Sequence, residues 1–243
     1  MQHYLINMIN KILTSLDRNN QHEAMAVIAN YIDWSSAFDR QCPKLAIQSF
    51  IENGVRSSLI PVLINYFQNR QMSVKWHGKL SKLRELPGGG PQGCSMGIIS
   101  YMSQSNNSAD FLDADEKYKF VDDLSILEVI NLVSIGISSY NFRNHVASDI
   151  GVGMKYVPSD NIQSQTYLDK ISSWTDNQKM KLNEKKCKVM IFNQTIKYQF
   201  TTRLQLNNSL LDIIDHTKLL GVIISDDLTW HENTRLLVRR AYQ

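Results

Sequence analysis

The sequence predicts an α+β fold. Short apolar runs end in acidic residues: Ala24–Ile32 before Asp33, and Phe120-Val121 before Asp122 and Asp123. Between them lie stretches whose apolar residues recur at helical spacing. No Pro/Gly/Ser-rich linker or internal repeat divides the chain, which predicts one domain.

Residues 2–16 predict a helix with Tyr4, Leu5, Met8, Ile9, Ile12 and Leu13 on one stripe. Ala24–Ile32 reads as a buried strand. Pro43 suits a first helical residue, and Gly54 suits the end of that segment. A second helix is expected over 57–69, with Leu59, Val62, Leu63, Tyr66 and Phe67 as its apolar face. Residues 72–86 predict a hairpin turning at Gly78, with Val74 and Trp76 on one arm and Leu83 and Leu86 on the other. A Gly-rich loop, Pro87–Gly93, leads into a helix over 94–103, and a polar, turn-rich stretch follows to Glu116. Tyr118–Val129 predicts a strand, a tight turn and a strand. After a variable loop over 145–158, Leu168, Ile171 and Trp174 mark a helix ending near Leu182. Val189–Phe192 and Leu219–Ile224 each read as a strand.

With 243 residues, 43% of them hydrophobic and 20% charged, the composition excludes disordered and collagen-like classes. A chain of this size buries about 70–75% of its unfolded surface. Cys42, Cys94 and Cys187 are too few and too scattered for a disulfide framework or a Cys-rich zinc site, and none of the six histidines has metal-ligand spacing. The expectation is an intracellular protein, nuclear or cytoplasmic, with no signal peptide. The longest apolar stretch, Leu124–Ile137, is broken by Glu128 and Asn131, so no membrane partner is expected. A net charge of +3 permits nucleic acid as a partner without demanding it.

Two acidic clusters stand where chemistry could occur: Asp33 to Asp39, and the adjacent pair Asp122-Asp123. Like charges in a half-buried site raise one another's pKa unless a cation neutralises them. Two clusters converging would suit Mg²⁺, whereas an isolated pair would be an ordinary solvated turn. Gly88–Ser95 matches a phosphate-binding loop except that Cys94 stands in place of its lysine, which speaks against an NTPase. The loop is then either a place where backbone closely approaches a nucleotide or a structural turn.

The order of these features resembles motifs A, B and C of the reverse transcriptase palm: an apolar strand with Asp33, then Pro91-Gln92-Gly93, then Phe120-Val121-Asp122-Asp123. Trp174, Met180 to Asn183, Lys186 and Val189–Phe192 are similar to motif D. Lys218 to Val222 with Leu228 and Trp230 are similar to motif E. The style, including Ala37-Phe38-Asp39 and the GGGPQG loop, resembles non-LTR (LINE-type) retrotransposons. The resemblance implies a palm, an antiparallel sheet with helices packed on one face, with partial fingers and no thumb. Residues 1–32 would then be a fingers/palm remnant, 33–195 the palm with motifs A to D, and 196–243 motif E and the start of a thumb. With 32 residues before Asp33, the expectation is a chain truncated at both ends.

The resemblance also implies roles. Asp33, Asp122 and Asp123 would hold two Mg²⁺ ions, with Mn²⁺ as a substitute, for attack of a DNA primer 3′-hydroxyl on a dNTP along an RNA template. Trp34 would contribute its backbone carbonyl. Phe38 would gate the sugar, or alternatively be a core aromatic. Gln92 and Gly93 would lie against the incoming nucleotide. Lys186, or its neighbour Lys185, would be the general acid for pyrophosphate, or alternatively part of a solvated face. Asp39 is expected to cap the next helix. Met180, Trp174 and Trp230 are expected in the core. Lys75, Lys79, Lys82 and Arg84 beside Trp76 would either track template and primer phosphates or blunt an exposed hairpin edge. The implied activity is RNA-directed DNA polymerisation. The alternative is an inactive remnant that at most binds nucleic acid.

Overall fold

The computed structural model describes residues 2–17, 24–91, 93–136, 154–193 and 202–242. The chain begins with α1 (Gln2–Leu16), β1 (Ala24–Ile32), α2 (Pro43–Glu52), a 3₁₀ turn (Ser57–Leu59) and α3 (Ile60–Phe67). Four two-residue strands follow: β2 (Gln71–Met72), β3 (Lys75–Trp76), β4 (Lys79–Leu80) and β5 (Arg84–Glu85). Next come α4 (Ser95–Ser105), β6 (Lys117–Phe120), β7 (Asp123–Gly136), β8 (Met154–Pro158), α5 (Ser164–Asn177) and β9 (Lys188–Phe192). The last elements are β10 (Gln205–Leu206), β11 (Ser209–Leu210), β12 (Asp212–Ile213), β13 (His216–Leu219), β14 (Val222–Ser225) and α6 (His231–Ala241).

The main sheet has the order β12-β9-β1-β7-β6, with β8 also pairing to β7. All its pairs are antiparallel except β12 with β9. β1 is the central strand, and both of its faces are covered. This explains why Ala24–Ile32 is apolar at every position but Asn30 instead of alternating. Its even-numbered residues Ala24, Ala26, Ile28 and Ile32 join a core with Tyr101 of α4 and Leu168 and Ile171 of α5. Val27, Ala29 and Tyr31 face the other way, onto Tyr4, Leu5, Met8 and Ile12 of α1 and onto Leu219 and Ile224. Thus α4 and α5 cover one face as expected for a palm, while α1 and the β13–β14 hairpin cover the other. Each fully buried aliphatic side chain here contributes about 1.5–3 kcal/mol.

The one polar side chain in the middle of β1 is Asn30, which is fully buried and donates to Ser164 Oγ at 3.0 Å. Ser164 opens α5, and Glu128 of β7 accepts hydrogen bonds from the backbone N–H groups of Gln163 (2.5 Å) and Ser164 (2.7 Å). A carboxylate at a helix N-terminus is favoured by the free N–H groups and the helix dipole. The buried Glu128 therefore locks α5 onto the sheet.

Several local expectations change. The segment 219–224 is a hairpin rather than one strand, because Leu220 (φ 48°) and Gly221 (φ 88°) form a two-residue turn between Leu219 and Val222. α5 stops at Asn177 instead of near Leu182, with Lys179 at φ 54° breaking the helical path. β8 occupies the end of the stretch expected to be a loop, and the rest of that loop lies outside the described residues. On α3 only Leu63 and Phe67 are buried, while Leu59, Val62 and Tyr66 are exposed. The hairpin residues Val74, Trp76 and Leu83 are exposed too. Trp230 is exposed at the start of α6 rather than in the core, whereas Met180 is buried as expected. Among the described residues, no helix is long and apolar enough to cross a membrane.

Candidate active site

Asp33 follows the last residue of β1, and its position is fixed from both sides. Ile32 pairs with Leu124 of β7, so one further step brings Asp33 level with Asp123. On the other edge Trp34 bridges Leu182: the Asp33 carbonyl accepts from Asn183 N–H (2.9 Å), and Ser35 N–H donates to the Lys181 carbonyl (2.8 Å). That bridge uses neither backbone group of Trp34 itself. The Trp34 ring is buried and meets Trp174 of α5 edge-on, with ring centroids 5.5 Å apart.

Asp122 and Asp123 sit at the tight turn joining β6 to β7, where Phe120 pairs with Asp123. Val121 in that turn has φ 57°, a left-handed conformation that is strained for a β-branched residue. Such strain persists where the surrounding structure over-determines it, and it concentrates at functional sites. Val121 is held there by packing against the core.

The carboxylates feel one another. Burial raises the Asp33 carboxyl above its ordinary range; Lys186 opposes this, Asp122 adds to it, and the Asn183 side chain opposes it again. Asp123 is raised first by burial and then by Asp122 and Asp33. Asp33 Oδ2 is buried without a hydrogen-bond partner. A shared half-buried site with three carboxylates and one nearby ammonium has the hard oxygen-donor chemistry of a divalent-cation site. Among the described residues no three His, Cys, Asp or Glu side chains are gathered closely enough to hold a metal ion as they stand. The donor set therefore suits a cation in chemistry and in its location on adjoining strands, but the side chains do not come together as they stand.

Lys186 is in this neighbourhood, with Nζ 3.8 Å from Asp33 Oδ2. It is also mostly exposed, with 69% of its side chain accessible. Beside it, Cys187 is fully buried; Asp33 N–H donates to its Sγ (3.3 Å), and the thiol donates to the Asp33 carbonyl (3.6 Å). Burial holds that thiol protonated, with its pKa pushed up to about 11.

Phe38 lies in the turn after Asp33, half-buried, its ring centroid 4.8 Å from that of Tyr101 at 38°. The Gly-rich loop packs directly onto this turn. Gly89 N–H donates to the Gln41 carbonyl (2.8 Å) and Gly90 N–H to the Phe38 carbonyl (2.6 Å). A Cβ on Gly90 would come within 2.2 Å of Gln41 Oε1, and one on Gly97 within 1.8 Å of the Pro91 carbonyl oxygen. Close backbone approach is why glycine stands at 97, whereas at 90 the room is taken by the buried Gln41 side chain. Gly93 is exposed at the end of the loop, and Gln92 lies outside the described residues. Cys94, at the position where a phosphate loop has lysine, is the N-cap of α4.

The basic hairpin stands away from the core. Lys75, Lys79, Lys82 and Arg84 are all exposed, as is Trp76 at 73%. His77 (φ 45°) and Gly78 (φ 79°) make its turn, the backbone signature of a two-residue hairpin loop. Its base is tied to the Gly-rich loop by Arg70, which donates to the Gly89 carbonyl at 2.6 Å. Asp39 does not cap α2: the N-cap is Cys42, without a side-chain cap bond.

The residues missed by sequence reasoning are Asn183, Gln41, Arg70 and Tyr101. Asn183 lay inside the motif D match and Tyr101 in the helix after Gly93, but Gln41 and Arg70 carried no signal of their own.

No family model and no curated protein matches this chain. Solved structures do. Apo telomerase from Candida tropicalis truncated from its C-terminal domain matches with a TM-score of 0.50 at 14% identity, covering 94% of this chain and 38% of that one. The apo telomerase from the same organism gives 0.53 at 13% identity, covering 94% and 36%. The same telomerase in complex with a fragment of telomeric RNA gives 0.53 at 13%, covering 93% and 32%. This chain thus spans about a third of the length of those proteins. At such identity the likeness establishes the fold: a mixed α+β, polymerase palm-like architecture of the kind found in a reverse transcriptase-related polymerase.

Proposed function

We propose that this chain is the catalytic palm of an RNA-directed DNA polymerase of the non-LTR retrotransposon type. The observation that carries the reading is the strand register that puts Asp33, at the end of β1, beside the β6–β7 turn bearing Asp122 and Asp123. Their electrostatic coupling supports it, as does Asp33 Oδ2, which is buried with an ion-pair partner in Lys186 but no hydrogen bond.

Asp33, Asp122 and Asp123 would hold two Mg²⁺ ions, or Mn²⁺ in their place; bound there, the metals supply charge neutralisation and activation of the primer hydroxyl. The protein's own groups do the rest. Phe38, backed by Tyr101, presents a ring that collides with a 2′-hydroxyl and so favours dNTPs over rNTPs. Trp34 offers the carbonyl that its bridge to Leu182 leaves unused. Gly93, at the end of a loop packed on the Phe38 turn, and Gln92 flank the nucleotide. Lys186, near Asp33 and open to solvent, gives a proton to the departing pyrophosphate. Lys75, Lys79, Lys82 and Arg84 hold template and primer phosphates without reading sequence. A second reading, an inactive remnant that binds nucleic acid, is favoured by the carboxylates standing apart.

The test is primer extension on poly(rA)·oligo(dT) with dTTP and Mg²⁺ or Mn²⁺, beside an Asp122→Ala/Asp123→Ala double variant. Metal-dependent extension that falls by about 10³-fold or more in the variant supports the polymerase. No extension from folded wild-type protein supports the remnant.

A further inference from the structure

We propose that Trp76 is a stacking platform for unpaired bases, so that the basic hairpin takes a single-stranded stretch of nucleic acid. This rests on the reading of that hairpin as a nucleic-acid surface.

The hairpin concentrates the charge of the chain. Residues 71–86 set Lys75, Lys79, Lys82 and Arg84 against Glu85 alone, whereas the whole chain has 26 basic and 23 acidic residues. None of the four forms an ion pair among the described residues. A polyanion is the complementary partner.

Charge alone attracts any phosphate backbone; the indole narrows the choice. Trp76 is the most exposed of the four tryptophans. In the hairpin register it stands directly opposite Lys79, while Lys75 stands opposite Leu80. Directly opposed residues share a face, with Cβ atoms about 4.5–5.5 Å apart. A base laid on the indole therefore brings its phosphate within reach of the Lys79 ammonium. His77 meets the indole at 90°, with ring centroids 4.8 Å apart, and braces it. Every base has a π-face to stack, but in a duplex its neighbours already occupy it, so unpaired bases gain most from an aromatic platform.

The backbone speaks against a protein strand as the occupant. Met72 pairs with Arg84 but Trp76 with Lys79, so the second arm carries one residue more than the first. Such a bulge twists the ribbon and spoils its edge for further strand pairing. The platform is also anchored: Arg70 ties the base of the hairpin to the Gly89 carbonyl, in the loop that packs on the turn after Asp33.

The experiment is fluorescence anisotropy of labelled oligo(U), oligo(dT) and an RNA–DNA hybrid duplex over a range of salt concentrations. The proteins are the wild type, Trp76→Ala, Trp76→Phe and a variant with Lys75, Lys79, Lys82 and Arg84 all changed to glutamine. Trp76→Ala should bind both single strands roughly 5–100-fold more weakly, the size of one stacked base. Its dependence of log affinity on log salt should match wild type, because no charge is lost, and its duplex affinity should hold. Trp76→Phe should keep most of the single-strand affinity, and the tighter strand for wild type is the one the platform serves. The exposed position leaves the thermal midpoint of both variants close to wild type. Single-strand affinity unchanged in Trp76→Ala but lost in the glutamine variant overturns the stacking role and leaves the basic surface standing. A wild type that binds no single strand at low salt, or a glutamine variant that binds as wild type does, overturns the hairpin reading and the Trp76 proposal with it. Binding to anionic phospholipid vesicles that depends on Trp76, with single-strand affinity unaffected by its loss, assigns the indole to a lipid surface and overturns the proposal.

Discussion

Lys186 Nζ stands 3.8 Å from Asp33 Oδ2, bringing the cation nearest the end of β1 from the turn that precedes β9. An ion pair this exposed adds about 0–1 kcal/mol to stability, so its importance is electrostatic rather than structural. Lys186 is the main influence holding down a carboxyl that burial raises.

Replacing Lys186 with glutamine should therefore let the Asp33 pKa rise further. Both the acid limb of Mn²⁺ binding and that of any polymerase activity should move to higher pH, while the thermal midpoint barely changes. A pH titration of Mn²⁺ affinity checks this, and an unmoved acid limb would show that the pair does not tune Asp33.

Asp123→Asn should raise stability at neutral pH. The carboxyl of Asp123 is raised by burial and by its acidic neighbours, so the folded state holds its proton more tightly than the unfolded state does. Stability then falls as pH rises from the unfolded carboxylate value of about 3.9 through the folded one, and the deficit persists at pH 7. The gain in thermal midpoint over wild type should be present at pH 7 and vanish below about pH 4. Saturating Mn²⁺ should shrink it by stabilising the wild type.

Lys119 offers a test at the other end of the pH scale. It sits on β6 with Nζ on Ser105 and Ser108, tying the C-terminus of α4 to the strand that leads into Asp122. Burial pushes its pKa down from 10.5 to about 8. Between those values the unfolded chain binds more protons than the folded one, so Lys119 adds stability as pH rises through this window, and its charge costs most below about pH 8. The midpoint of wild type relative to Lys119→Met should rise between about pH 8 and pH 10.5, the span of that window. A constant difference would place the ammonium in solvent.

The exposed hairpin distinguishes a nucleic-acid surface from a guarded edge. Changing Lys75, Lys79, Lys82 and Arg84 to glutamine should weaken binding to an RNA–DNA duplex. It should also flatten the dependence of log affinity on log salt, by up to about 0.7–0.9 for each phosphate that the variant no longer neutralises. Unaltered duplex binding, with self-association of the variant instead, would assign these residues to protecting the edge.

Phe38→Ala should relax sugar choice, raising rNTP use relative to dNTP by roughly 10–100-fold in an extending enzyme. It should also lower stability, because no ring then packs on Tyr101 at this place. A drop in stability with sugar choice unchanged would make Phe38 a core aromatic only.

Elements whose local chemistry is self-sufficient were legible in the amino-acid sequence. β1 was so because eight apolar residues, interrupted only by Asn30, run up to Asp33, and α2 because Pro43 and Gly54 mark its ends. The ordered appearance of Asp33, the Gly-rich loop and Asp122-Asp123 placed the candidate site. Features that depend on long-range packing emerged with the folded chain alone. Leu220 and Lys179 adopt left-handed backbone that residues of their type rarely choose, so one expected strand became a hairpin and one helix stopped early. The exposure of Trp76 and Trp230 depends on which surfaces neighbouring elements reach, and no local pattern records that. The same holds for Asn183, Lys186 and Cys187, brought to Asp33 by β9 pairing with β1, and for Tyr101, which α4 packs against Phe38. Apolar periodicity fixes which face of an element is buried, whereas the partner it meets there is fixed by strand order and helix docking.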